Sequence, residues 1–163
     1  MGARRSGREA ALQMLFQLEA SGARAPQVIE LFWRASADAD FEPDPEGRLY
    51  ADAIVRGVAD SLTDVDKRIA AASQNWRLER MGRVDRNLLR MGTWELLAQK
   101  DVPRAVVIDE AVELAKSYGT EDSSGFVNGV LDRIANDLGR SDDGPAPDTK
   151  RAPSSRDGAK GPR

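Results

Sequence analysis

The chain has no cysteine and no histidine in 163 residues. The first absence excludes disulfides, thiolate nucleophiles and sulfur-ligated metals. The second removes the commonest general base and the commonest metal ligand. The sequence also lacks a Gly-rich phosphate cradle of either the Walker or the dinucleotide pattern. Paired carboxylates remain formally open to metal or glycosidic chemistry. The plentiful Asp and Glu nevertheless read as solvated helix faces, as Glu110 and Glu113 do beside the apolar stripe Ile108–Ala115. The expectation is a protein without catalysis, metal or cofactor. No apolar run approaches the ~18 residues that span a bilayer. The basic start runs into an amphipathic helix rather than a secretory apolar segment, which predicts a cytoplasmic protein with no membrane association.

What is present is one pattern repeated: apolar residues at i, i+3, i+4 and i+7, the stripe of a helix facing a core. Ala11, Met14, Leu15 and Leu18 carry it first, then Val28, Leu31, Phe32 and Ala35. Ala51, Ile54, Val55 and Val58 begin a third stripe that Leu62, Val65 and Ile69 extend. Val84–Gln99 is apolar on more sides, as a helix buried between neighbours is. Ile108, Ala111, Val112 and Ala115 follow, then Val127, Val130, Leu131, Ile134 and Leu138. No segment alternates with period two, so the fold class is all-α, a bundle of about seven helices.

The punctuation agrees. Ser6-Gly7-Arg8-Glu9 reads as a capping box, Gly22 and Gly119 as helix stops, and Pro26, Pro43 and Pro45 as helix starts. Glu121-Asp122-Ser123 supplies acceptors for the last helix. Asn75–Arg83 is less regular and divides a body of residues 1–138 into an N-terminal group, about 6–74, and a C-terminal group, about 75–138. Residues 139–163 are Gly-, Pro- and charge-rich and predict a disordered tail.

Net charge is −3, so any attraction to a polyanion must be local. Residues 1–8 hold Arg4, Arg5 and Arg8 with no acid. Guanidinium forks around a helix start make an anion site, although a basic N-terminus also serves solubility alone. Phe126 falls off the last stripe, beside Asn128 and Gly129; it either stacks on an unpaired base or packs beneath a loop. Phe16 is likewise off its stripe. Either its helix is buried on two sides or it offers an apolar surface to a partner.

Three segments, RRSGREAALQMLFQLEAS, RVDRNLLRMGTWELL and DVPRAVVIDEAVELAKSYGTEDSSGFVNGVLDRIA, resemble the NusB family of bacterial transcription antitermination factors. The resemblance runs from Arg4 to about Ala135, is weakest across Gly22–Leu49 and omits the tail. It implies two packed helical subdomains that bind the boxA element of rRNA leader RNA as a heterodimer with NusE, a ribosomal protein, and then join other Nus factors and RNA polymerase. It places the arginine-rich motif on Arg4, Arg5 and Arg8, an RNA-contacting ring on Phe126 and an affinity-tuning acid on Asp122. Contacts to NusE fall on Phe16 and Asp85, where relatives often carry Tyr and Glu. Ser6-Gly7 interrupts an arginine run that is denser in some relatives. Because some members form homodimers, a self-associating helical protein is the alternative, as is a NusB-like RNA-binding module for rRNA processing or modification.

Overall fold

A computed structural model describes residues 2–38 and 44–141. Seven α-helices account for most of them: α1 (Ala3–Ser21), α2 (Ala25–Asp38), α3 (Pro45–Asp60), α4 (Leu62–Ala72), α5 (Arg83–Ala98), α6 (Arg104–Tyr118) and α7 (Ser123–Asp137). A single 3₁₀ turn, Leu78–Arg80, lies between α4 and α5. No strand occurs among the described residues, and no helix there is long and apolar enough to cross a membrane. Gly22 ends α1 in the left-handed region at φ 65° and returns its N–H to the Leu18 carbonyl. Pro45 opens α3 just after Asp44, whose side chain accepts the Glu46 N–H.

α1 packs on α3, and α5, α6 and α7 pack on one another. α5 touches α1, α3 and α4 as well. That is why Val84–Gln99 is apolar on several sides: Leu88, Leu89, Met91 and Leu96 are all sealed from solvent. Met14, Ile54, Ile69, Leu131 and Ile134 complete the same continuous core.

The structure departs from the sequence reading in four places. α1 begins at Ala3 behind Gly2, with no side-chain cap, so Ser6-Gly7-Arg8-Glu9 lies inside the helix and is not a capping box. The third stripe is two helices, because the chain turns at Ser61 (φ −111°, ψ 15°) and leaves Leu62 partly exposed. α2 is rotated from its expected stripe: Val28, Ile29 and Trp33 are buried, while Leu31 is 59% exposed and Ala35 faces solvent. Trp33 decides that rotation, since it is the largest apolar side chain of the helix and its indole N–H finds Asp52 at 2.7 Å. Finally, Arg140, assigned to the tail, is buried and donates to the Leu96 and Val102 carbonyls at 2.6 Å. Its own carbonyl accepts from Arg104, so the folded body runs past 138. Pro43 and the tail from 142 lie outside the described residues.

The interruption Ser6-Gly7 has a packing cause. A Cβ on Gly7 would sit 2.6 Å from the Gly47 carbonyl oxygen, and one on Gly47 would sit 2.6 Å from the Ala3 carbonyl oxygen. The start of α1 therefore crosses the start of α3 backbone to backbone, which only glycine at both positions permits.

Candidate nucleic-acid interface

The three arginines of α1 divide by helix geometry. Arg4 and Arg8 are one turn apart and both lean on Tyr50 of α3, each guanidinium 5.2 Å from the ring centroid. Arg5 points to a different side, toward α6, where Nε and Nη2 meet the two oxygens of Glu110 at 3.0 and 2.9 Å.

Arg8 is a core residue. It is 3% exposed and reaches both oxygens of Glu95 at 2.9 to 3.1 Å. Tyr50 closes the triad, its hydroxyl donating to Glu95 Oε2 at 3.0 Å. Burial and the Glu95 charge push the Tyr50 phenol well above the ordinary tyrosine range. Nε and Nη2 of the guanidinium are thus taken up by Glu95 and Tyr50, which makes Arg8 a structural cation of the core. Of the three arginines expected from sequence to face phosphate, Arg8 is the one held in a buried ion pair.

Arg4 and Arg5 remain at the surface. Arg4 is 3.7 Å from Asp101 with its side chain 45% exposed, and the Arg5 side chain is 50% exposed. Together with Arg8, Val102, Pro103 and Val106 they line a shallow hollow of about 320 Å³ where α1 and α6 begin. Glu110, expected on a solvated helix face, instead forms this hollow's wall. The hydrogen bonds from Arg5 hold its carboxyl below the ordinary glutamate range, against the effect of partial burial. A depressed carboxylate pKa contributes stability above the ordinary glutamate value and loses it as pH falls through the lowered one. Arg5→Ala should therefore move the Glu110 titration, followed by side-chain carboxyl NMR, upward to or above the usual glutamate value. An unmoved titration would show that the pair does not form.

Phe126 lies on α7 and is half-buried. Its ring meets Trp76 edge to face, centroids 6.3 Å apart and planes at 71°. Trp76 escaped the sequence reading because it sits in the irregular stretch between α4 and α5, where no stripe marks it. Asp122 is exposed one turn before Phe126 and its carbonyl accepts the Phe126 N–H at 3.2 Å. Its side chain does not cap α7. Ser123 is buried and accepts the Thr120 N–H instead, which corrects the expected acceptor role of Glu121-Asp122-Ser123. The hollow beside Phe126 shares no residue with the one beside Arg4 and Arg5.

Phe16 lies on α1 and Asp85 on α5, two helices that pack together. Arg83, unremarked in the sequence, lies 5.7 Å from the Phe16 ring centroid and two residues before Asp85. Asp85 is in the first turn of α5, where the helix dipole favours its charge. Behind them Glu19 ties Arg86, Asn87 and Arg90 together, and Arg90 also holds Asp66 at 2.9 Å. This network keeps α1, α4 and α5 in fixed register beneath an exposed aromatic and an acid.

The NusB family pattern matches residues 5–136. The transcription antitermination protein NusB of Sorangium cellulosum is 63% identical over 142 residues, which cover 87% of this chain and 98% of that protein. Its counterpart in Myxococcus xanthus is 49% identical over 135 residues, covering 83% and 96%. Among solved structures, T. maritima NusB superposes with a TM-score of 0.72 at 40% identity, over 82% of this chain and 90% of that one. A chain in the complex of antitermination factors NusB and NusE with double-stranded RNA superposes at 0.73 with 28% identity, over 84% and 98%. Sequence, helix order and packing agree over nearly the whole described body: the chain belongs to the NusB family.

Proposed function

We propose that this chain is a transcription antitermination factor that binds the boxA element of rRNA leader RNA as a heterodimer with NusE, and thereby joins other Nus factors and RNA polymerase. The observation that carries the proposal is the likeness, over 84% of the chain, to a protein held with NusE and RNA. Arg4 and Arg5 supply phosphate contacts, Phe126 stacks on a base, and Asp122 adds a nearby negative charge that limits affinity. Phe16 and Asp85 form the face for NusE. The RNA in that relative's complex is double-stranded. A half-buried ring such as Phe126 favours an unpaired base, since bases inside a helix offer no free face.

The test is titration of a boxA RNA, single-stranded and as a duplex, with the chain alone and then with NusE. Tighter binding of the single strand with NusE present is expected, and no binding in any arm overturns the proposal. Salt dependence separates the arginines. The log–log slope should shrink by roughly one unit for Arg5→Ala, because each phosphate contact releases counterions. Equal slopes for Arg5→Ala and the parent chain would eliminate that contact. At the other face, Asp85→Lys should weaken NusE binding by about tenfold or more, roughly 1.4 kcal/mol per decade, as measured by calorimetry. Intact binding rules out the role given to Asp85.

A further inference from the structure

We infer that the hollow between the end of α4 and the outer face of α7 is a pocket for one unpaired RNA base, with Trp76 as its wall and a glycine face of α7 as its floor. The inference rests on the RNA-binding reading and adds to it a second aromatic and a size limit.

Four observations converge on this pocket. Trp76 is 58% exposed and spends its packing on the edge of Phe126, so a large apolar face is left open beside a second ring. Because the two rings are nearly perpendicular, a flat heterocycle lying on one of them meets the edge of the other. Both contacts are geometries that aromatic pairs favour. The hollow measures about 260 Å³, just under the ~300–1,000 Å³ of ordinary ligand pockets, which suits a single ring system rather than a larger ligand.

The floor is the third observation. Gly125 and Gly129 lie one helical turn apart on α7 and both line the hollow. A Cβ at either would meet nothing within 4 Å. Glycine inside a helix is unfavourable relative to alanine, and here no neighbouring protein atom requires it, in contrast to Gly7. The bare backbone keeps the floor flat and lets a planar group approach closely.

The rim is the fourth. The side-chain amides of Gln74 and Asn75 border the hollow and have no hydrogen-bond partner among the described residues. A carboxamide presents a donor and an acceptor side by side, the pattern needed to read a base edge. Arg133 is on the same rim, where its Nη1 donates to the Ala72 carbonyl at 3.0 Å, so its positive charge is held in place next to the opening.

The experiment uses the full chain with a labelled single-stranded boxA RNA, with NusE present throughout, and compares Gly129→Ala, Trp76→Ala, Trp76→Phe and Arg5→Ala. Gly129→Ala should raise the thermal midpoint while weakening RNA binding, two shifts of opposite sign that a purely structural glycine would not produce. Trp76→Ala should weaken RNA binding by roughly five- to a hundredfold with an unchanged salt slope, and Trp76→Phe should restore most of the loss. Unchanged affinity in Gly129→Ala or in Trp76→Ala, with Arg5→Ala still weakened, overturns the pocket and leaves the RNA reading standing. Loss of NusE binding instead of RNA binding in Trp76→Ala assigns the hollow to a protein side chain and also overturns it. Absence of RNA binding by the parent chain removes both readings together. If Trp76→Ala fails to fold by circular dichroism, the Gly129→Ala and Trp76→Phe arms decide the matter.

Discussion

Glu95→Ala should lower the stability of this protein by about 3–5 kcal/mol, the loss expected when one partner of a buried ion pair is deleted. Glu95 is 1% exposed and is the carboxylate to which Arg8, itself buried, donates among the described residues. Without it the guanidinium stays buried with only the Tyr50 hydroxyl at 3.3 Å to satisfy it. A domain of this size is stable by only about 5–15 kcal/mol, so the variant would lose a large part of its stability. Urea denaturation measures the effect as a fall in midpoint at constant slope. Arg8→Met combined with Glu95→Leu should recover much of the loss, since no uncompensated charge then remains. A shift below roughly 1 kcal/mol, the scale of an exposed pair, would mean that Arg8 is solvated. Its guanidinium would then be open to phosphate.

Gly7→Ala should be destabilising by about 2 kcal/mol, although alanine is the better helix former. Helix propensity alone favours the substitution by roughly 1 kcal/mol. Against this stands a Cβ placed 2.6 Å from the Gly47 carbonyl oxygen. That atom belongs to helix backbone and cannot rotate aside as a side chain would. Overpacking costs about 1–3 kcal/mol even where side chains can adjust, and here the start of α1 must lift off α3. The same lift moves Arg4 and Arg5 away from the start of α6, so the surface hollow they border should open as stability falls. Thermal unfolding checks the first effect, and a midpoint equal to or above that of the parent chain contradicts the close crossing. The opposite sign expected at Gly129 makes the pair informative: two helical glycines, one required by a neighbour and the other by none.

Much of the architecture was legible in the residues. Regular stripes marked the helices, Gly22, Pro45 and Gly119 marked their ends, and the apolar breadth of Val84–Gln99 marked the central helix. These features are local, set by the 3.6-residue period and by the backbone limits of glycine and proline. Errors arose where periodicity could not see a competitor. Ile29 and Trp33 outweighed Leu31 and Ala35 on α2, and the turn at Ser61 broke a stripe whose spacing ran straight through it.

The candidate site was half visible. Composition and spacing by themselves determined an arginine-bearing helix start, an off-stripe Phe126, and the lack of any histidine or cysteine chemistry, because these depend only on which residues occur and how far apart they stand. Tertiary packing alone decided that Arg8 belongs to the core with Glu95 while Arg5 faces Glu110 at the surface. Helical spacing leaves Arg5 and Arg8 only about 60° apart around α1, so only the docking of α3, α5 and α6 determines which of the two is buried. Packing likewise brought Trp76 onto Phe126 from 50 positions away. A contact between residues so distant in the chain exists only once the end of α4 has packed beside α7.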